Sequence, residues 1–160
     1  LSNVLEKSLN KKGLKVKVIN ASVSGDTSAG GLNRIDWTIS EKNIDIILLC
    51  LGANDMLRGI SPNETKKNLD QIIIKILNKK IQIVIAGIIA PESHGKDYKN
   101  EFDKIFKSLS VKYEMDFIPF LLDGVALNPD LNLDDGMHPN EKGVIVISKN
   151  IEKKLINILD

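Results

Sequence analysis

Two stretches of this chain, Ile44 to Leu51 (IDIILLCL) and Ile81 to Ile89 (IQIVIAGII), are almost continuously apolar. A strand with one face in water alternates apolar and polar side chains, whereas a run without alternation needs cover on both faces, as in a parallel sheet flanked by helices. The segments between and around these runs have the helical period instead. Ser61-Pro62-Asn63-Glu64 offers a capping serine, a proline for the first helical position and a capping-box glutamate, and Leu69, Ile72, Ile73, Ile76 and Leu77 follow as one stripe. Phe102, Ile105, Phe106 and Leu109 make a second stripe, and Val144, Ile147, Ile151, Leu155 and Ile158 make a third in a helix from about Asn140. Met115 to Phe120 reads as a shorter strand, followed by a long irregular stretch from Leu121 to Pro139.

The beginning of the chain fits the same alternation. LSNVLEKSLNKKG reads as a helix with a glycine stop, and Leu14 to Asn20 (LKVKVIN) alternates with period two, which predicts a strand entering the turn-rich stretch Ala21 to Gly31. Leu32, Ile35 and Ile39 then recur at helical spacing up to Glu41. Strands alternating with helices imply right-handed crossovers, so the expected architecture is α/β, a three-layer α/β/α sandwich around a parallel sheet. Ligands in such folds bind beyond the carboxyl ends of the strands.

Composition narrows the function classes. With 160 residues the chain is sized for one domain spanning 1–160, and 42% hydrophobic with 27% charged residues is the make-up of a water-soluble globular protein without stable membrane insertion. Lys and Arg total 22 against 21 Asp and Glu, scattered along the chain, so no electrostatic footprint for nucleic acid is present. The single cysteine, Cys50, excludes an internal disulfide framework and a multi-cysteine zinc site.

Three loops at expected strand ends carry polar residues. Ser22 to Gly31 is a glycine-rich turn before a helix, whose free N–H groups could cradle a phosphate or stabilise an oxyanion. No lysine follows in the order a phosphate loop needs, and the alternative is a plain turn with Asp26 or Ser28 as helix cap. Leu51 to Gly59 (LGANDMLRG) places Asn54 and Asp55 at the rim of the most apolar strand, where buried polar groups need partners. Asn54 could donate its amide to a developing negative charge and Asp55 could brace the loop, or both could serve an Asx turn. Leu133 to Pro139 (LDDGMHP) puts Asp135 three residues before His138 with Gly136 between, so the carboxylate can take the imidazole Nδ1–H and leave Nε2 as a base. A metal held by Asp134, Asp135 and His138 lacks a second histidine at helical spacing, since His94 lies in an unrelated loop, and no metal or cofactor is expected.

Taken together, "NASVSGDTSAGGLNRI", "LGANDMLRG" and "DDGMHPNEKG" resemble the second, third and fifth blocks of the SGNH, or GDSL-type, hydrolases, within the bacterial thioesterase I/lysophospholipase/arylesterase subgroup. The resemblance spans nearly the whole chain and implies a flavodoxin-like sheet. It implies that Gly25 and Asn54 donate to an oxyanion hole, that Asp135 and His138 are the acid and base of a Ser-His-Asp triad, and that Met56, Leu57 and Ile60 line a segment gating the acyl pocket. Packing under the loop is the competing role for those three. The implied activity is metal-free hydrolysis of small-molecule acyl esters or thioesters through an acyl-enzyme. Related proteins are often exported to the periplasm.

The family's first block, the Gly-Asp-Ser segment that supplies the nucleophile, is absent from these 160 residues. Gly25-Asp26-Thr27 imitates it, but its neighbours fit the second block, and Ser24, Thr27 and Ser28 lack the strand-to-turn setting of a nucleophile. The chain starts at Leu1 within a helix, so the expectation is a domain without its first strand and nucleophile loop, inactive by itself. The alternative is a truncated or degenerate relative that binds acyl or glycan ligands without turnover.

Overall fold

The structure is a computed structural model describing residues 1–40 and 43–159, and the chain divides into two compact units, Leu1–Asn20 with Leu121–Asp160, and Ala21–Phe120. In the second, the apolar runs form β1 (Ile46–Leu49), β2 (Gln82–Ala86) and β3 (Asp116–Ile118), a parallel sheet in the order β1-β2-β3. Register aligns Ile47 with Ile83, and Leu49 with Ile85 and Phe117, so one face presents a row of large apolar side chains. These side chains share a core with α2 (Ser28–Thr38), α4 (Pro62–Asn78) and α5 (Lys96–Lys112), in which Leu69, Ile72, Ile73, Ile76 and Phe102 are fully buried. On the opposite face Val84, Ala86 and Ile118 are buried as well, which explains why these strands do not alternate. The expected α/β class with a parallel sheet is therefore what this chain forms.

Local chemistry sets the helix starts. Ser61 caps α4, its Oγ accepting from the Glu64 N–H at 3.2 Å with Pro62 in the first turn, as the sequence predicts. At α2 the cap is Thr27, whose Oγ1 accepts from the Gly30 N–H at 3.2 Å, rather than Asp26 or Ser28. Asp26 is engaged by the Arg34 Nε at 2.7 Å and Ser28 by Asp55, so neither side chain is free to cap. The expected end of this helix at Glu41 lies outside the described residues.

In the first unit α1 (Ser2–Lys11) packs on α6 (Glu141–Leu159), with Leu5, Leu9, Ile147, Ile151 and Leu155 buried. Glu152 anchors the contact by accepting from Ser8 Oγ at 2.5 Å and pairing with Lys12. The expected strand from Leu14 to Asn20 is not formed: the segment is irregular and joins no ladder among the described residues. Its period-two pattern survives as half-buried Leu14, Val16 and Val18 between exposed Lys15 and Lys17. Its amides are taken by α1 side chains instead, Val16 N–H by Asn10 Oδ1 at 3.0 Å and Val18 N–H by Glu6 Oε2 at 2.6 Å. Alternation thus places side chains correctly without supplying the neighbour that a strand needs.

Candidate active site

β1 leads through Gly52, at φ +119°, into the five-residue helix α3 (Ala53–Leu57), an element too short to leave a periodic signal in the sequence. Asn54 and Asp55 stand in its first turn. Asp55 is fully buried, and its carboxylate accepts the Ser28 N–H at 2.7 Å, the Ser28 Oγ at 2.5 Å and the Thr65 Oγ1 at 3.3 Å. A negative group at the first turn of α2 is favourable there, because unpaired N–H groups and the helix dipole both point at it. Asp55 thereby braces the α3 loop to the Ala21–Gly31 turn.

Across that brace the half-buried Asn54 donates Nδ2–H to the Asp26 carbonyl at 2.9 Å, leaving its second amide hydrogen. Gly25 is exposed with φ +76°, a left-handed conformation that side chains other than glycine rarely adopt. The Gly25 N–H meets no acceptor among the described residues, while the Arg58 Nη2 donates to the Gly25 carbonyl at 2.9 Å. Gly25 and Asn54 are therefore neighbours, each with a donor to spare. Met56 packs against the core, Leu57 is exposed, and the half-buried Ile60 gives its carbonyl to the Tyr98 hydroxyl at 2.9 Å. Met56 and Ile60 are thus engaged in packing and bonding under the loop.

The other predicted pair lies in the first unit, in the turn before α6. Gly136, at φ +68°, reverses the chain so that the Asp135 Oδ2 meets the His138 Nδ1 at 2.6 Å, while Oδ1 accepts the Met137 and His138 N–H groups at 2.9 Å each. Those two amides, that of His138 first, and then the imidazole hold the Asp135 carboxyl down to about 2, so it is ionised throughout the neutral range. The turn is closed by the Leu133 N–H donating to the His138 carbonyl at 2.7 Å and an antiparallel bridge between Asn132 and Pro139. The His138 side chain is 69% exposed, which leaves Nε2 open to a reacting group. Among the described residues no group of three or more His, Cys, Asp or Glu is placed to hold a metal ion.

Of the hydroxyls near Gly25, Ser28 is buried, donates to Asp55 and accepts from Asn68 Nδ2 at 3.0 Å. Thr27 is committed to its cap, and Ser24 sits in an exposed turn rather than at the end of a strand.

Residues 1–144 match the model of the GDSL-like Lipase/Acylhydrolase family. The chain belongs to this family. It is 33% identical over 157 residues to an arylesterase of Vibrio mimicus, covering 98% of this chain and 78% of that protein. It is also 33% identical over 141 residues to thioesterase 1/protease 1/lysophospholipase L1 of Escherichia coli (strain K12), covering 88% of this chain and 68% of the relative. The crystal structure of TesA superposes with a TM-score of 0.93 at 30% identity, over 99% of this chain and 88% of the other. The chain thus has the GDSL-like acylhydrolase fold, and on it stand a glycine and asparagine amide pair and a carboxylate-oriented imidazole. Arg58 is the residue that sequence reading missed, because its partner lies 33 residues away.

Proposed function

We propose that the protein is a metal-free serine-type hydrolase of acyl esters or thioesters acting through an acyl-enzyme. The observation that carries this reading is the Asp135–His138 bond at 2.6 Å, which assigns the Nδ1 proton and leaves Nε2 to accept one. In the first step a hydroxyl proton passes to His138 Nε2 as the oxygen bonds to the acyl carbon. Asp135 stabilises the imidazolium, and the Gly25 N–H and the free Asn54 amide hydrogen donate to the carbonyl oxygen as it becomes an oxyanion. His138 then returns the proton to the leaving alkoxide or thiolate, and water activated by the same imidazole releases the acid. Leu57, exposed on the α3 loop, is the apolar side chain offered to an acyl chain, while Met56 and Ile60 support the loop from beneath.

The nucleophilic hydroxyl belongs, in this reading, to a Gly-Asp-Ser segment that residues 1–160 do not contain. The commitments of Thr27 and Ser28 to other bonds support that assignment. Residues 1–160 alone are expected to show no saturable hydrolysis of p-nitrophenyl acyl esters, and the full-length protein is expected to show it. In the full-length protein Asn54→Ala should lower turnover roughly a hundred- to a thousandfold, and His138→Ala should abolish it. His138-dependent turnover by residues 1–160 would put the nucleophile inside this chain. Stabilisation of the full-length protein by acyl ligands without turnover would favour the ligand-binding alternative.

A further inference from the structure

We infer that Arg58 is a positioning residue that holds both oxyanion donors in register, an inference that rests on the reading of Gly25 and Asn54 as those donors. Arg58 closes α3, and it bonds the main chain of each donor. Its own N–H donates to the Asn54 carbonyl at 3.1 Å, and its guanidinium Nη2 donates to the Gly25 carbonyl at 2.9 Å. Nothing else among the described residues bonds the backbone of both.

It is the φ of +76° that favours glycine at position 25, and the space beside Arg58 would itself admit a side chain. A Cβ at that position would come 3.7 Å from Nη2, so the guanidinium lies against the side of the residue that carries no side chain. The next carbonyl along, that of Asp26, accepts from the Asn54 amide at 2.9 Å. Two consecutive carbonyls are therefore tethered to the α3 loop, one by Arg58 and one by Asn54, while the Gly25 N–H remains unspent among the described residues. An arginine suits this task because its planar fork is charged at any working pH and loses little freedom on bonding.

The charge adds to the geometry. Arg58 is paired with no carboxylate among the described residues, so its field acts on whatever negative charge develops beside Gly25. Such charge appears on the carbonyl oxygen in the transition state and not in the bound ester, so the effect belongs in kcat rather than KM. Arg58 is exposed, whereas the buried Asp55 carboxylate underneath holds the two loops together, so the fold does not depend on the guanidinium.

The test uses the full-length, esterase-active protein with p-nitrophenyl butyrate. Arg58→Gln is expected to lower kcat about tenfold, as loss of a partly screened charge-assisted bond does, with KM and the unfolding midpoint unchanged. Arg58→Lys, which keeps the charge and loses the fork, should recover part of that loss. In amide-resolved NMR the Gly25 and Asp26 resonances, on either side of the carbonyl that Arg58 holds, should move in Arg58→Gln. An unchanged kcat in Arg58→Gln, in a protein where Asn54→Ala cuts turnover, overturns the Arg58 assignment and leaves the oxyanion reading standing. A fall in kcat that follows a fall in the unfolding midpoint also overturns it, since that marks a merely structural role. A silent Asn54→Ala overturns the oxyanion reading itself, and Arg58 with it.

Discussion

Asp135 receives two backbone donors and one imidazole nitrogen within its own turn, and its carboxyl is held at about 2 for that reason. A folded value below the ordinary one means that the carboxylate's contribution is complete above about pH 4 and is lost only as the pH falls through the folded value. The Met137 and His138 amide resonances should therefore share an acid titration with a midpoint of about 2. A titration near the ordinary carboxyl value would mean that the turn is open in solution. This pair was legible in the sequence because a three-residue spacing with one glycine is a local instruction. The Thr27 cap was less legible, since Asp26, Thr27 and Ser28 are all able to cap and only the distant Arg34 and Asp55 side chains decide among them.

At the scale of elements, α6 shows how a helix start can aim a loop. Asn140 accepts from the Lys142 and Gly143 N–H groups and donates back to the Asp130 and Asn132 carbonyls, fastening the helix to the turn that carries His138. Gly143 permits this approach: an added Cβ would lie 2.2 Å from the Leu131 carbonyl oxygen and 3.1 Å from the Pro139 Cβ. Alanine in a helix ordinarily gains about 0.5 to 1 kcal/mol over glycine. Backbone cannot retreat as a flexible side chain can, so Gly143→Ala should instead cost about 1 to 3 kcal/mol in urea unfolding, and a stabilised variant would show that the turn is loosely seated. The long helices and β1 to β3 were readable because their apolar periods run long enough to be distinctive. Helix α3 was not, and Leu14 to Asn20 misled, because alternation reports which side chains are covered but not whether a neighbouring strand is there.

At the scale of the molecule, each unit has its own source of cohesion. Residues 21–120 rest on an apolar core that includes the Tyr98, Phe102 and Phe106 rings, with successive centroids 5.7 Å apart. The unit built from the chain ends relies also on Glu152, whose carboxyl is held below its usual range by Lys12 and then Ser8. Stability from this group is present above the ordinary carboxyl value and lost as the pH falls through the lowered one. Glu152→Gln should therefore lower unfolding free energy by about 1 to 3 kcal/mol at neutral pH, and the gap from the parent should close in acid. A gap that persists at low pH would assign the effect to packing rather than charge.

Ser8 and Glu152 stand 144 residues apart, which imposes an order on synthesis. Once Phe120 has left the ribosome, every residue of the sheet-containing unit is available to fold. Helix α1, translated ahead of that unit, must keep Leu5 and Leu9 waiting until α6 emerges. Stalled or prematurely terminated products would carry an unpaired greasy helix ahead of the sheet-containing unit, a natural handle for chaperones and proteases.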